Sequence, residues 1–411
     1  MAVKLLQINT VVKYNATGRI ADEIGQMAIA KDWESYIAFG RYGRSSQSEL
    51  IKIGTVLDLK LHGLLTRLFD RHGFGSKHAT KNLISRIKEI KPDIIHLHNL
   101  HGYYLNIELL FDYLAMAEIP VVWTLHDCWS MTGHCSYFEL IGCEKWKQGC
   151  FSCPQKDQYP ISRWLDNSKR NYRDKKRLFN SVKSLTMVPV SSWVANLLSE
   201  SFLKNQPKQT IYNGIDLSVF YPRENGKSIK DELGIGNHLM LLGVASVWET
   251  RKGLEDFMAL SQKIDQNAVI VLVGLSTEQL KGLPSNIIGI SRTENIAQLA
   301  EIYSAADLFL NLTYQDTFPT TNLESLACGT PVLTYNTGGS IEAVTAETGF
   351  IVEKGDLMGV LNIIGIVENK EKSIFVKKCR ERAEQFFNKT DRYNEYFALY
   401  EQLLLKRHPI K

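Results

Sequence analysis

The stretch that decides the fold is Asp307–Tyr335, DLFLNLTYQDTFPTTNLESLACGTPVLTY. Asp307–Thr313 is an apolar run without polar alternation, the pattern of a parallel strand buried on both faces. A loop follows from Tyr314, helical spacing starts near Thr320, and Gly329 with Pro331 beyond it stops the helix. Pro331–Tyr335 is a second apolar run. Strand, helix and strand in so short a span make a βαβ unit and imply a parallel sheet covered by helices.

Outward from this unit the same alternation recurs. The first half carries apolar runs at Leu5–Asn9, Ser35–Gly40, Asp93–His98, Val121–Asp127 and Leu185–Ser192. The second carries Gln209–Gly214, His238–Ser246, Asn267–Gly274 and Asn286–Ser291 before the decisive pair. Two such series predict two similar α/β domains, 1–206 and 207–388, joined across the polar, proline-marked Lys204–Gln209. A last helix, about Asp391–Lys406 within 389–411, has no strand after it and is expected to pack back on the first domain. The chain has 411 residues, 44% hydrophobic and 22% charged, which suits a soluble protein with two cores. A net charge of +4 is too mild to imply nucleic acid, and we expect none as a partner. The N-terminus reads as a strand and not as a signal peptide, and no apolar run reaches the ~18–20 residues of a spanning helix. The expected location is the cytoplasm.

In open α/β sheets ligands bind beyond the carboxyl ends of the strands. After the Asp307–Thr313 strand stand Asp316 in the loop and Glu324 on the helix. Both carboxylates suit hydrogen bonds from sugar or ribose hydroxyls, with backbone N–H groups over Phe318–Asn322 facing the ligand. The plainer alternatives are turn chemistry for Asp316 and a capping box, Thr321 to Glu324, for the other. Ser246–Gly253 places Arg251 and Lys252 at the start of another helix, where cations oppose the helix dipole unless an anion binds.

The spacing from Asp316 to Glu324, followed by Ser-Leu-Ala-Cys-Gly-Thr-Pro-Val, resembles the Glu-x7-Glu signature of the family 4 retaining glycosyltransferases. Asn213-Gly-Ile-Asp216 with Phe220 and Pro222, Arg251-Lys252-Gly253, and Gly338-Gly339 before Glu342 also resemble family segments, in the family's order. The resemblance implies the GT-B fold, two facing Rossmann-like domains with a cleft between them. It implies a nucleotide-diphosphate sugar as donor, a UDP- or GDP-sugar, held mainly by the second domain, and transfer with retention. Glu324 would hold the ribose, Asp316 would contact the donor sugar, and Lys252 and Arg251 would neutralise the diphosphate. Thr17, Gly18, Arg19, Asn213, Phe318, Pro319, Thr320, Thr321 and Asn322 complete the donor-binding set. His126 would be the cleft histidine that contacts the transferred sugar, so the implied catalytic residues are His126, Asp316, Lys252 and Arg251. Two departures stand out: Asp316 replaces the usual first Glu, and Ser246 stands where many members have Arg.

On the acceptor side, His98 and Asn99 follow a strand and are candidates, with packing an equal alternative. His126–Trp129, in a cysteine-rich segment (128–154), resembles a subgroup associated with bacterial surface-polysaccharide and colanic-acid-type synthesis, which implies a glycan acceptor, lipid-linked. No cofactor is expected for catalysis. Cys135, Cys143, Cys150 and Cys153 have two readings, a structural zinc site or unligated thiols. The pattern Leu61, Leu64, Leu65, Leu68 and Phe69 reads first as a helix packed on the sheet. The second reading is a peripheral contact with the inner face of the cytoplasmic membrane. The alternatives to the transferase are an NAD-dependent oxidoreductase and a non-catalytic, zinc-stabilised sugar- or protein-binding module.

Overall fold

The computed structural model describes residues 2–407. The chain divides into two compact units, Met1–Ile211 together with Tyr393–Lys411, and Tyr212–Arg392.

The first unit runs β1 (Lys4–Asn9), α1 (Asn15–Ala30), β2 (Glu34–Phe39), β3 (Glu49–Lys52), α2 (Val56–Phe69), α3 (Lys77–Ile90), β4 (Ile94–Leu97), α4 (Ile107–Met116), β5 (Val121–Leu125), α5 (Ser168–Phe179), β6 (Leu185–Pro189) and α6 (Ser192–Glu200). Its sheet has the order β3-β2-β1-β4-β5-β6, every pair parallel. The second unit runs α7 (Gly226–Glu232), β7 (Leu239–Val244), α8 (Leu254–Ser261), β8 (Ala268–Val273), α9 (Thr277–Leu280), β9 (Ile287–Ile290), α10 (Ile296–Ala305), β10 (Leu308–Asn311), α11 (Thr320–Ala327), β11 (Val332–Tyr335), β12 (Gly349–Val352), α12 (Leu357–Glu368) and α13 (Ser373–Phe386). Its sheet, β12-β11-β10-β7-β8-β9, is again all parallel. Each sheet read from the proper edge has the doubly wound order 3-2-1-4-5-6.

The strands form where the sequence is continuously apolar because both faces are covered. Leu5, Ile94 and Val122 sit in one core with Ile20 and Ile24 of α1. Leu241, Leu272, Leu310 and Leu333 sit in the other with Phe257 and Val360. The last helix, α14 (Lys389–Arg407), passes into the first unit from Tyr393 onward. There Tyr393, Tyr396, Phe397 and Tyr400 join the first core. The Tyr400 hydroxyl meets His96 Nδ1 at 2.6 Å, and His96 Nε2 meets Thr124 Oγ1 at 2.8 Å.

Three expectations need correction. Gln209–Gly214 is not a strand of the second sheet. It runs beside β6, with Gln209 N–H donating to Met187 O and Ile211 N–H to Pro189 O, both at 3.1 Å. The second series does not end at Tyr335, because β12, α12 and α13 follow. β12, like β3, is a four-residue strand with half of its residues part-exposed, too short and too little buried to leave a long apolar run. Finally, the apolar stripe of α2 is not packed inward as a whole: Leu65 and Leu68 are part-buried, but the rest is open. His62 and Thr66 point inward and Leu61, Leu64 and Phe69 outward. The inner face is tied by polar bonds instead: His62 Nε2 accepts from the N–H groups of Gly73 and Gly75, each at 3.2 Å, and His62 Nδ1 donates to Ser76 Oγ at 2.9 Å.

Candidate active site

A doubly wound sheet opens a crevice where the strand order reverses, here beyond the carboxyl ends of β1 and β4 in the first unit and of β7 and β10 in the second. The predicted site residues fall at these two places.

In the second unit, the chain leaves β7 into a single 3-10 turn, Thr250–Lys252, and enters α8 through Gly253. Gly253 has φ +73°, and a Cβ there would lie 2.0 Å from Leu312 O, so the loops after β7 and β10 touch only because this residue is glycine. That contact brings Lys252 Nζ to 2.6 Å from Asp316 Oδ2. Arg251 donates from its guanidinium to Gln315 O at 2.9 Å, and Tyr314 N–H donates to Arg251 O at 2.9 Å. Burial works to raise the Asp316 pKa, but the charges of Lys252 and Arg251, the Lys252 hydrogen bond and the Phe318 N–H hold it below the usual carboxylate range. Asp316 O in turn accepts from Gly339 N–H at 3.2 Å, and Gly338, at φ +50°, leaves room for it.

α11 begins at Pro319, which offers no N–H and no side-chain cap. Glu324 is therefore not half of a capping box: it is buried, and its Oε2 accepts from Tyr303 Oη–H at 3.0 Å. Asn322 lies on the inner side of the helix, where Asn311 Nδ2 donates to its Oδ1 at 2.7 Å and its own amide donates to Ser340 O at 3.0 Å. Its side chain braces the loop after β11 and does not turn to the crevice. Phe318 is likewise buried, against Tyr212, and its carbonyl accepts from Asn213 Nδ2 at 3.1 Å. Asn213 and Asn322 thus fix the loop and the helix start, leaving Thr320 and Thr321 as part-exposed residues of that turn. Trp248 is a core residue, its indole N–H donating to Val273 O at 2.9 Å.

In the first unit, the turn of Thr17, Gly18 and Arg19 opens α1, and Lys13 N–H donates to Gly18 O at 2.9 Å. A chain of hydrogen bonds runs to His126. Gln7 donates its amide to Ala21 O at 2.7 Å, which presents Gln7 Oε1 to His98 Nε2 at 3.0 Å. His98 Nε2 therefore carries the hydrogen, and His98 Nδ1 accepts from His126 Nε2 at 3.1 Å. With the hydrogen on Nε2, Nδ1 is the acceptor atom of a neutral His126. Burial favours that neutral form, lowering the His126 pKa to about 4. His98 is thus an orienting residue behind His126. Asn99 serves through its backbone, its carbonyl accepting from Thr10 Oγ1 at 3.0 Å and Tyr104 Oη at 2.7 Å.

Sequence reasoning passed over His101 and Tyr159. His101 Nε2 meets Asp127 Oδ2 at 2.6 Å and His101 Nδ1 meets the Tyr159 hydroxyl at 2.9 Å. Burial pushes the Asp127 pKa up, but His101 and the Trp129 N–H hold it below the usual range. The third histidine of His96-Leu-His-Asn-Leu-His101 was the available signal. Of the four cysteines, Cys135 and Cys153 are coupled: their mutual hydrogen bond and burial push the Cys135 thiol up, and the same bond with the nearby His134 holds Cys153 below the usual thiol range. Among the described residues, no three His, Cys, Asp or Glu side chains converge as metal ligands.

Two larger cavities, about 440 and 460 Å³, lie by Lys230, Asn237 and Lys372, one of them lined by residues that precede β7, β8 and β10. That is the amino end of the second sheet, the wrong end for ligand binding in this topology.

Two family descriptions match the chain: Glycosyltransferase Family 4 over residues 17–219 and Glycosyl transferases group 1 over residues 238–365. WcaC of Escherichia coli (strain K12), provisionally named a colanic acid biosynthesis glycosyl transferase, is 23% identical over 382 residues, 88% of this chain and 90% of its own. Among solved structures, sucrose-phosphate synthase from Thermosynechococcus elongatus superposes with a TM-score of 0.75 at 17% identity, covering 98% of this chain and 100% of the other. HepE of Anabaena in complex with UDP gives a TM-score of 0.68 at 17% identity, covering 97% and 100%. At these identities the structural likeness is one of fold, the GT-B type with its two Rossmann-like units. With both sheets wound alike, basic and acidic groups at the reversal points, and both halves matched, the chain belongs to the family 4 glycosyltransferases.

Proposed function

We propose that the protein transfers a hexose-type sugar, with retention, from a UDP- or GDP-sugar to a lipid-linked glycan acceptor in the synthesis of a bacterial surface polysaccharide. The observation that carries the donor half is the placement of Lys252 and Arg251 against Asp316 at the reversal point of the second sheet. Breaking the bond between sugar and diphosphate leaves negative charge on the leaving phosphate, and cations already fixed in place stabilise it without reorganising. Asp316 holds Lys252 ready for that role. Glu324, on the next helix, takes the ribose hydroxyls, and Thr320 and Thr321 line the donor at the start of α11. His126 is the histidine that contacts the transferred sugar. The acceptor hydroxyl attacks on the face the nucleotide leaves, and its proton passes to the departing phosphate.

The donor class draws support from HepE, which has been solved with UDP and with UDP-glucose. The polysaccharide setting draws support from the name of WcaC. A lipid-linked acceptor places the work at the inner face of the cytoplasmic membrane. The oxidoreductase and the non-catalytic module are set aside by the family that both halves match. Calorimetric titration of UDP, GDP, CMP and NAD into wild type and Glu324→Gln tests the donor reading. UDP or GDP binding that the variant weakens tenfold or more supports it; binding of NAD alone, or of no nucleotide, overturns it.

A further inference from the structure

The loops after β1 and β2 are tied together at the carboxyl end of the first sheet. Val12 N–H donates to Tyr42 O at 2.9 Å, Arg44 N–H to Val12 O at 3.2 Å, and Arg41 N–H to Thr10 O at 2.8 Å. The pairing sets two tyrosines side by side, the rings of Tyr14 and Tyr42 lying 5.4 Å apart and tilted by 38°. Neither ring is packed into the core: Tyr14 is 42% exposed and Tyr42 56%. Lys13 and Asn15, on either side of Tyr14, hold left-handed φ values of +54° and +55°, which non-glycine residues adopt only at a cost. Tyr14 is thus presented by a turn that local preference does not favour.

Each ring carries a guanidinium. Arg41 lies 5.3 Å from the centre of the Tyr42 ring, and Arg44 lies 5.8 Å from that of Tyr14. Both arginines are exposed, and among the described residues neither is paired with a carboxylate. Lys52 braces the same loop, its amine donating to Gly40 O at 2.8 Å and to Arg41 O at 2.6 Å. Asp22, counted as charged, lies 3.5 Å from Lys13. Lys13, Arg41, Arg44 and Lys52 outnumber it, so the patch is positive. It shares the carboxyl end of the sheet with His126 but does not adjoin it. In the order β2-β1-β4-β5 the loops after β2 and β5 stand three strand spacings apart, about 14 Å. One sugar ring does not span that distance, but a short oligosaccharide does.

We propose that Tyr14, Tyr42, Arg41 and Arg44 form a subsite for an acidic sugar of the acceptor glycan, removed by one or more residues from the hydroxyl that reacts. A pyranose ring presents a face of C–H groups, and these pack on the negative face of an aromatic ring. The carboxylate or phosphate of the sugar then meets the guanidiniums, whose planar fork fits either group. A neutral sugar would gain the stacking and nothing from the two arginines, so the patch selects for charge. The identity of the ligand as an acceptor rests on the transferase reading, but its binding is measured without turnover.

The test is a saturation-transfer NMR titration of methyl glucuronide, glucose 6-phosphate and methyl glucoside against the full chain, at about 0.1 M salt, with and without UDP. Wild type should bind at least one of the acidic sugars tenfold or more tightly than methyl glucoside, and the better of the two names the charged group. Arg41→Gln with Arg44→Gln, and separately Tyr42→Ala, should each weaken that binding about tenfold or more. Tyr42→Phe, which keeps the ring, should retain it. All of these variants should match wild type in UDP affinity and thermal midpoint. Equal affinity for the neutral sugar, no binding of either acidic sugar, or full binding by both the arginine pair and Tyr42→Ala overturns the proposal. So does acidic-sugar binding that UDP abolishes, which would put the sugar in the donor crevice. A wild type that binds the acidic sugar through these residues but binds neither UDP nor GDP would keep the subsite and sink the transferase reading instead.

Discussion

Replacing Lys252 by Met keeps the side-chain stem and removes the charge, and the structure sets two separate costs for it. In the resting protein, Lys252 Nζ and Asp316 Oδ2 are 2.6 Å apart, with side chains 20 and 13% exposed. Stripping one partner from a buried pair costs 3–5 kcal/mol as a rule, roughly, when nothing else serves the partner. Asp316 retains the Arg251 charge and the Phe318 N–H, so a cost of about 2–3 kcal/mol is expected. Asp316 has a lowered pKa in the fold, so its contribution is present above the unfolded value near 4 and lost as pH falls through the folded one. The stability gap between wild type and variant should therefore be full at pH 7 and close as the pH drops below ~4. In turnover, losing one fixed cation at the leaving group should cost about 10² to 10³ in kcat, or about 2.7–4 kcal/mol. Urea unfolding at pH 7 reads the first cost, and release of UDP or GDP from the donor sugar in the presence of acceptor reads the second. A variant that loses the expected stability yet turns over within threefold of wild type would show that Lys252 only neutralises Asp316, and the leaving-group role would fail.

Gly253→Ala should damage the same site through the backbone. A left-handed φ costs a non-glycine residue about 1–2 kcal/mol, and its Cβ would push on Leu312 O; UDP affinity should fall with the thermal midpoint, and an unchanged affinity would count against the shared-loop geometry. Acid should unfold the chain through its buried histidines. Burial lowers the pKa values of His62 and His126 to about 4, and those of His72, His96 and His98 well below normal. The unfolded chain binds those protons near pH 6.5, so stability present at pH 7.5 is lost as pH falls below that, by about 1.4 kcal/mol per histidine at pH 5.5. His134, raised by its Asp70 partner, works the other way. A urea midpoint that does not move between pH 7.5 and 5.5 would refute the neutral network. For the cysteines, we expect Cys153 to alkylate at a lower pH than an ordinary thiol, and Cys135→Ala, which removes the hydrogen bond, to move that midpoint upward. Thiols that resist iodoacetamide until a chelator releases one zinc per chain would instead establish the four-cysteine metal site.

How much of this could be read from the sequence depended on whether the residues in question were constrained by local pattern or by distant partners. Central strands such as β7, β8 and β10 are apolar throughout because helices cover both faces, and that leaves a plain mark. The short strands β3 and β12, four residues each and largely part-exposed, left none. The loop after β10 was legible because Asp316, Glu324 and the Gly329–Pro331 stop sit at fixed local spacings. What Asp316 and Glu324 actually touch was not, since Lys252 is 64 residues away from the first and Tyr303 is 21 residues from the second. The capping-box alternative for Glu324 failed for a local reason that could have been seen: with Pro319 opening the helix, Thr321 lies inside it and not at its cap.

α2 is the instructive error, because helical periodicity finds a stripe but not the direction it faces. The residues on the opposite face, His62 and Thr66, are polar, so nothing in the local pattern marks them as buried. They are buried because His62 is the acceptor for two backbone N–H groups in the Arg71–Ser76 turn, a need that belongs to another segment of the chain.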